Sequence, residues 1–66
     1  MQQFYQLRVD QVPHGGRFKM LNGMAWYVRA PHYSGYSSGI LKGQYYQFRN
    51  DLIVEVDFGT FQKRVY

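Results

Sequence analysis

The stretch Arg17-Phe18-Lys19-Met20-Leu21-Asn22-Gly23-Met24-Ala25-Trp26-Tyr27-Val28-Arg29-Ala30 decides the fold class. Asn-Gly is the favoured pair for a two-residue type I′ turn, because both central residues take positive φ. It lies here between two apolar-rich runs, so the segment predicts a β-hairpin. A turn at Asn22-Gly23 sets Leu21 against Met24, Met20 against Ala25, Lys19 against Trp26 and Phe18 against Tyr27. One face then carries Phe18, Met20, Ala25 and Tyr27, with no charge before Arg29. The other carries Arg17, Lys19, Leu21, Met24, Trp26 and Val28. The uncharged face is expected inward, which leaves Trp26 partly exposed beside Lys19 and Arg17.

Strand periodicity continues on both sides of the hairpin. From Gln3 to Val9, the residues Tyr5, Leu7 and Val9 share one face, with Gln6 and Arg8 on the other. Val12-Pro13-His14-Gly15-Gly16 reads as a turn, since Pro13 cannot donate to a ladder and paired glycines tolerate positive φ. Ala30 to Gly39, rich in Gly and Ser, reads as a loop of about ten residues, longer than most connections. Ile40-Leu41 is a short strand, Lys42-Gly43 a turn, Gln44 to Phe48 a strand, and Arg49-Asn50-Asp51 another turn. Leu52, Val54, Val56 and Phe58 alternate with Ile53, Glu55 and Asp57, which predicts a strand with an acidic face. Gly59-Thr60 breaks it, leaving 59–66 as an added strand or a tail. No stretch carries a helical period of helix length.

At 66 residues the chain is one domain, 1–66. A domain of that size hides only about 60% of the surface its unfolded chain exposes. Seven Tyr, five Phe and one Trp offset this, because aromatic side chains bury the most area per residue. Five or six short strands on tight turns are too few for a two-sheet sandwich. The predicted architecture is all-β, a small and strongly bent antiparallel barrel of the SH3-like kind. The alternative is a single curved sheet completed by dimerisation. With no cysteine there is no disulfide framework and no thiolate metal site. No apolar run reaches the roughly 18 residues of a membrane span. Met1-Gln2-Gln3-Phe4-Tyr5 lacks a signal-peptide pattern, so a cytoplasmic protein without membrane partners is expected.

Motifs with catalytic precedent fail on context. Gly35-Tyr36-Ser37-Ser38-Gly39 matches the nucleophile elbow G-x-S-x-G, but that serine needs a strand-to-helix bend in an α/β sheet. Asp57-Phe58-Gly59 copies the metal-binding triplet of kinases without a glycine-rich phosphate loop or a catalytic loop. His14 and His32 have neither metal-ligand spacing nor cysteine partners. Glu55 and Asp57 are neighbours on one strand, whereas paired-carboxylate catalysis needs groups opposed across a cleft. The expectation is no enzyme, no cofactor and no metal.

What stands out is an aromatic and basic inventory. Trp26, Tyr27, Tyr33, Tyr36, Tyr45 and Tyr46 are interleaved with Arg17, Lys19, Arg29, Lys42 and Arg49 on a chain of formal charge +4. Small barrels that hold single strands stack bases on aromatic rings and track phosphates with cations. Protein-binding hot spots favour the same Trp, Tyr and Arg. Tyr45 and Tyr46 point to opposite faces of their strand, so at most one is core. The expected binding residues are Arg17, Lys19, Trp26, Arg29, Tyr33, Tyr36 and Tyr45.

The order Val12, Gly15/Gly16, Phe18, then Asn22-Gly23, Tyr27-Val28 and a closing Val54-Glu55-Val56 resembles small SH3-like β-barrel proteins of bacteriophages and bacteria. The resemblance covers roughly residues 7 to 57. It implies the fold and, for phage proteins, a habit of binding a host protein or nucleic acid in the host cytoplasm. It carries no catalytic residues. The expected function is a non-enzymatic binding module for nucleic acid. The alternatives are an effector or inhibitor binding an acidic surface of a host protein, and a homo-oligomeric structural subunit, for example a homodimer.

Overall fold

The computed structural model describes residues 3–33 and 36–66, the side chains of His32 and Tyr33 excepted. Strands run over Tyr5–Arg8 (β1), Arg17–Met20 (β2), Trp26–Tyr33 (β3), Tyr36–Leu41 (β4), Gln44–Arg49 (β5) and Ile53–Val56 (β6). A single 3-10 turn, Val9–Gln11, follows β1, and a short helix, Phe58–Gln62 (α1), follows β6. All pairings are antiparallel, in one sheet ordered β1-β6-β2-β3-β4-β5. The sheet stays open, with β1 and β5 as its edges, so the expected barrel does not close. Where β1 ends, the Val9 and Asp10 N–H groups donate to Leu52 O (2.8 Å) and Asn50 O (3.3 Å). These acceptors lie in the β5–β6 connection, not on β5 itself, so the ladder that would complete a barrel is not made.

Alternation builds the core. Leu7, Val9, Val12, Phe18, Val54 and Val56 are buried, and Tyr5, Met20, Tyr27, Phe48, Leu52 and Phe61 pack against them. Fully burying one such side chain is worth about 1.5–3 kcal/mol. Phe18 stacks on Tyr27 with ring centroids 5.6 Å apart, and Phe48 meets both rings edge-on at 5.7 and 5.3 Å. Phe18, Met20 and Tyr27 of the expected inward face are therefore inward, whereas Ala25, outside both strands, is exposed.

The β2–β3 register is also the expected one: Arg17 opposite Val28, Phe18 opposite Tyr27, Lys19 opposite Trp26. Its turn is different. Gly23 N–H donates to Met20 O (2.9 Å) and only Asn22 of the Asn-Gly pair has positive φ, 63°. The reversal is thus centred on Leu21-Asn22. The two-residue turn with positive φ at both central positions lies elsewhere, at Lys42 (52°) and Gly43 (78°), between Leu41 and its partner Gln44.

Two segments depart further from expectation. Of the expected loop Ala30 to Gly39, residues 30–33 and 36–39 belong to strands β3 and β4, with Tyr33 opposite Tyr36 and a register shift between Ala30 and Tyr33, and 34–35 lie outside the described residues. Two of its small residues, Ser37 and Gly39, are fitted to the packing. A Cβ on Gly39 would lie 2.7 Å from Phe18 Cζ and 3.1 Å from Phe48 Cε2. Ser37, fully buried, donates from Oγ to Asn50 Oδ1 at 2.7 Å. The G-x-S-x-G serine is therefore inside a strand, not on a strand-to-helix bend. The tail 59–66 is likewise neither strand nor loose end. Asp57 caps α1 by accepting from Thr60 N–H (2.8 Å), so Phe58 leaves the strand and points outward. Phe61 stacks on Tyr5 at 4.8 Å, and Val65 N–H donates to Gln11 O (2.8 Å). No helix among the described residues is long and apolar enough to cross a membrane.

Candidate aromatic and basic binding face

The side of the sheet opposite Phe18 carries the candidate site. Cross-strand partners share a face, so the register aligns Arg17, Val28, Ile40 and Tyr45 in one row across β2, β3, β4 and β5. At the usual strand spacing that row is about 14 Å long. Tyr45 is 69% exposed, and Val28 and Arg17 are also exposed. Beside the row, Trp26 pairs with Lys19, which in turn pairs with Glu55 of β6. Phe4, one step before β1 and in phase with Gln6 and Arg8, reaches the same face. Its ring is tilted against Trp26 at 5.6 Å. The Arg17 guanidinium lies over the Trp26 ring at 5.5 Å, and the Lys19 ammonium over Phe4 at 4.9 Å. Trp26 is half-buried by these neighbours.

Of the expected binding residues, Arg17, Lys19, Trp26 and Tyr45 therefore come together on one face. Lys19 is engaged there by Glu55, Nζ to Oε1 at 2.5 Å, with both side chains largely covered. It acts as a local clamp more than as a free cation. Tyr36 is exposed but lies further along the sheet, opposite Arg49. The Tyr33 backbone pairs with Tyr36, and its side chain lies outside the described residues. Tyr46 is on the other face, edge-on to Tyr27 at 5.6 Å, so the two adjacent tyrosines do divide between the faces.

Arg29 is a correction. It follows Phe18 and Tyr27 on the core side and is 3% exposed. Its Nε donates to Val9 O (3.2 Å) and its Nη1 to Ala30 O. Burial lowers its pKa and nearby Asp10 opposes that shift. A guanidinium supplies five donors in a fixed fork, so here it holds backbone carbonyls together and does not reach a ligand.

The carboxylates are all engaged. Asp10 pairs with Arg8 (3.0 Å), Asp51 with Arg49 (3.3 Å) and Glu55 with Lys19. Asp57 is held below its ordinary value, first by the Thr60 backbone N–H, then by the Thr60 hydroxyl, with Arg17 nearby adding to the effect. The positive excess is thereby concentrated on Arg17, Lys42, Lys63 and Arg64. Arg64 lies over Phe61 and Tyr66 at 4.3 and 4.8 Å. Lys63 shares a shallow cleft with Arg17, beside Gly16 and Thr60. Lys42 forms the turn at the Tyr45 end of the row.

Sequence reading missed Phe4, Val28 and Ile40. Phe4 was legible from its phase with Gln6 and Arg8. Ile40 needed the β3–β4 register, which the Gly/Ser composition concealed. No family model matches the chain, and neither a curated protein nor a solved structure matches it.

Proposed function

We propose that this chain is a non-enzymatic binding module whose outer sheet face takes single-stranded nucleic acid. The observation that carries the reading is the row Arg17–Val28–Ile40–Tyr45 with Trp26 beside it. Tyr45 and Trp26 supply stacking surfaces, and Val28 with Ile40 supplies an apolar floor between them. Arg17 supplies a phosphate contact at one end of the row and Lys42 at the other. Stacking of a base on an aromatic ring is worth about 1–3 kcal/mol and tolerates any base.

Trp26 is the one tryptophan of the chain, so its fluorescence reports the face directly. Titration with short single-stranded DNA and RNA should quench it saturably at about 50 mM salt and much less at about 200 mM. Contacts from Arg17, Lys42 and Lys63 would give a log–log slope near −2. Arg17→Ser should reduce that slope by roughly 0.7 while leaving the quenching signal in place. An absence of quenching with both strands at low salt would remove the reading.

A second reading, a protein partner on the same face, is favoured by the exposed apolar groups at its margin. Met24 is 92% exposed and Leu21 is also exposed, both in the β2–β3 connection. Such a partner would bind with little salt dependence, because aromatic and aliphatic anchors dominate its energy.

A further inference from the structure

The two edges of the sheet are treated differently by the fold. β1 is four residues long, and α1 packs beside it through the Tyr5 contacts with Phe61 and Phe58. β5 is six residues long, Gln44-Tyr45-Tyr46-Gln47-Phe48-Arg49, and pairs with β4 alone. Exposed edges are usually blunted by proline, a bulge, internal lysine or a covering element. β5 has an unbroken register with β4 and one charge, at its last residue. Its three aromatics favour pairing.

Its free hydrogen-bonding groups follow from the turn. Lys42 and Gly43 both have positive φ, which makes Leu41 and Gln44 the bonded pair that flanks a type I′ turn. Alternation along an antiparallel ladder then makes Tyr46–Gly39 and Phe48–Ser37 bonded pairs as well. The backbone N–H and C=O groups of Tyr45 and Gln47 and the N–H of Arg49 consequently point away from β4 and are unpaired by it, while Arg49 O already accepts from Leu52 N–H (3.0 Å).

We infer that β5 pairs antiparallel with β5 of a second copy, about a two-fold axis at Gln47. Only registers that match outer-face residues with outer-face residues keep both sheet faces continuous. Centring on Gln47 engages both groups of Tyr45 and Gln47's own pair, together with the Arg49 N–H, and asks Arg49 O to accept a second bond beside that from Leu52 N–H. Gln47 faces the partner's Gln47, and Tyr45 faces the partner's Arg49. On the opposite face Tyr46 meets the partner's Phe48, next to a shallow cleft lined by Gln47, Phe48, Arg49, Asp51, Leu52 and Ile53. These are ring–ring, guanidinium–ring and amide–amide contacts, and no like charges are opposed. Centring on Tyr46 would leave Arg49 beyond the paired region. The contact uses the same patch on both copies, so it closes at two.

The test is molecular mass by analytical ultracentrifugation from about 1 μM to 1 mM chain, with Gln47→Lys and Gln47→Glu as variants. The wild type should move from the 7.9 kDa monomer to twice that mass. Each variant places like charges across the axis and should weaken association roughly tenfold or more. An equimolar mixture of the two variants should associate again, through opposite charges at the same positions. Recovery on mixing reports the axis, which no folding defect in one variant could imitate. A wild type that remains monomeric at the highest concentration would overturn the inference. So would variants that dimerise as the wild type does, species larger than a dimer, or a mixture that stays monomeric. Single-strand binding by monomeric Gln47→Glu, read by Trp26, is separate from this outcome.

Discussion

Gly39→Ala puts one methyl group where Phe18, Tyr27 and Phe48 leave no room for it. The added carbon would lie 2.7 Å from Phe18 Cζ and 3.1 Å from both Phe48 Cε2 and Tyr27 Cβ. Ordinary carbon–carbon contacts are about 3.5–4.0 Å. Phe18 is fully buried and stacked on Tyr27, so it has nowhere to retreat. Two effects compete. Alanine restricts the unfolded chain and would stabilise by about 0.4–1 kcal/mol, since Gly39 has no positive φ to forbid it. Overpacking a filled core costs about 1–3 kcal/mol, and a clash this close on an immobile ring belongs near the top of that range. The net expectation is a loss of about 2 kcal/mol, or a fall in Tm of roughly 8–16 °C for a domain of this size. Urea unfolding followed by Trp26 fluorescence measures it, with an unchanged slope on denaturant. Phe18→Leu shortens the opposing side chain, so Gly39→Ala in that background should cost at least about 1 kcal/mol less. If Gly39→Ala is as stable as the wild type, or more stable, the account of β4 as a strand thinned to pass under Phe18 is wrong.

Arg29→Lys is expected to cost about 2 kcal/mol, because an ammonium cannot reproduce the fork that reaches Val9 O and Ala30 O. Nucleic-acid affinity of its folded fraction should be unchanged, and a specific loss of affinity at constant stability would return Arg29 to the binding site. Asp57 has its folded pKa depressed below 3.8, so its contribution is complete above about pH 4 and is lost as pH falls through the folded value. Asp57→Asn keeps a capping acceptor and removes the titration. Its stability at pH 7 should stay within a few tenths of a kcal/mol of wild type, and thermal melts from pH 5 to 2.5 should fall less steeply than those of the wild type. Tyr45→Ser should weaken single-strand binding roughly tenfold while shifting stability by less than about 0.5 kcal/mol. An equal loss in stability and binding would mean that Tyr45 walls the sheet and does not receive a base.

Strand phase separates the core from the face proposed here to bind nucleic acid. Phe18, Tyr27, Phe48 and Tyr46 share the core side with buried Arg29, and Trp26, Val28, Ile40 and Tyr45 lie on the reverse of the same strands. Adjacent residues therefore serve opposite faces. On that proposal a substitution at Trp26 or Tyr45 should change binding with limited effect on the core, whereas Tyr27, stacked on Phe18, cannot be changed so freely.

By itself the sequence determined what depends on local chemistry and on a period of two. The alternation of Leu7 with Val9 and of Val54 with Val56 placed the core. The uncharged face of Phe18 and Met20 set the β2–β3 register, since a slip of one residue would send every side chain to the wrong side. That constraint held even though the turn itself moved from Asn22-Gly23 to Leu21-Asn22. Tertiary structure decided what depends on residues far apart in the chain. Ser37, Ser38 and Gly39 have the composition of a loop, and only the rings of Phe18 and Phe48 make the smallness of Gly39 a requirement of a strand. Arg29 looks like a surface cation until Val9, 20 residues earlier, presents its carbonyl. Lys19 is removed from the free positive charge by Glu55, 36 residues later. The closure of the sheet was likewise decided where Val9 and Asp10 bond to the β5–β6 connection, which leaves β5 paired with β4 alone.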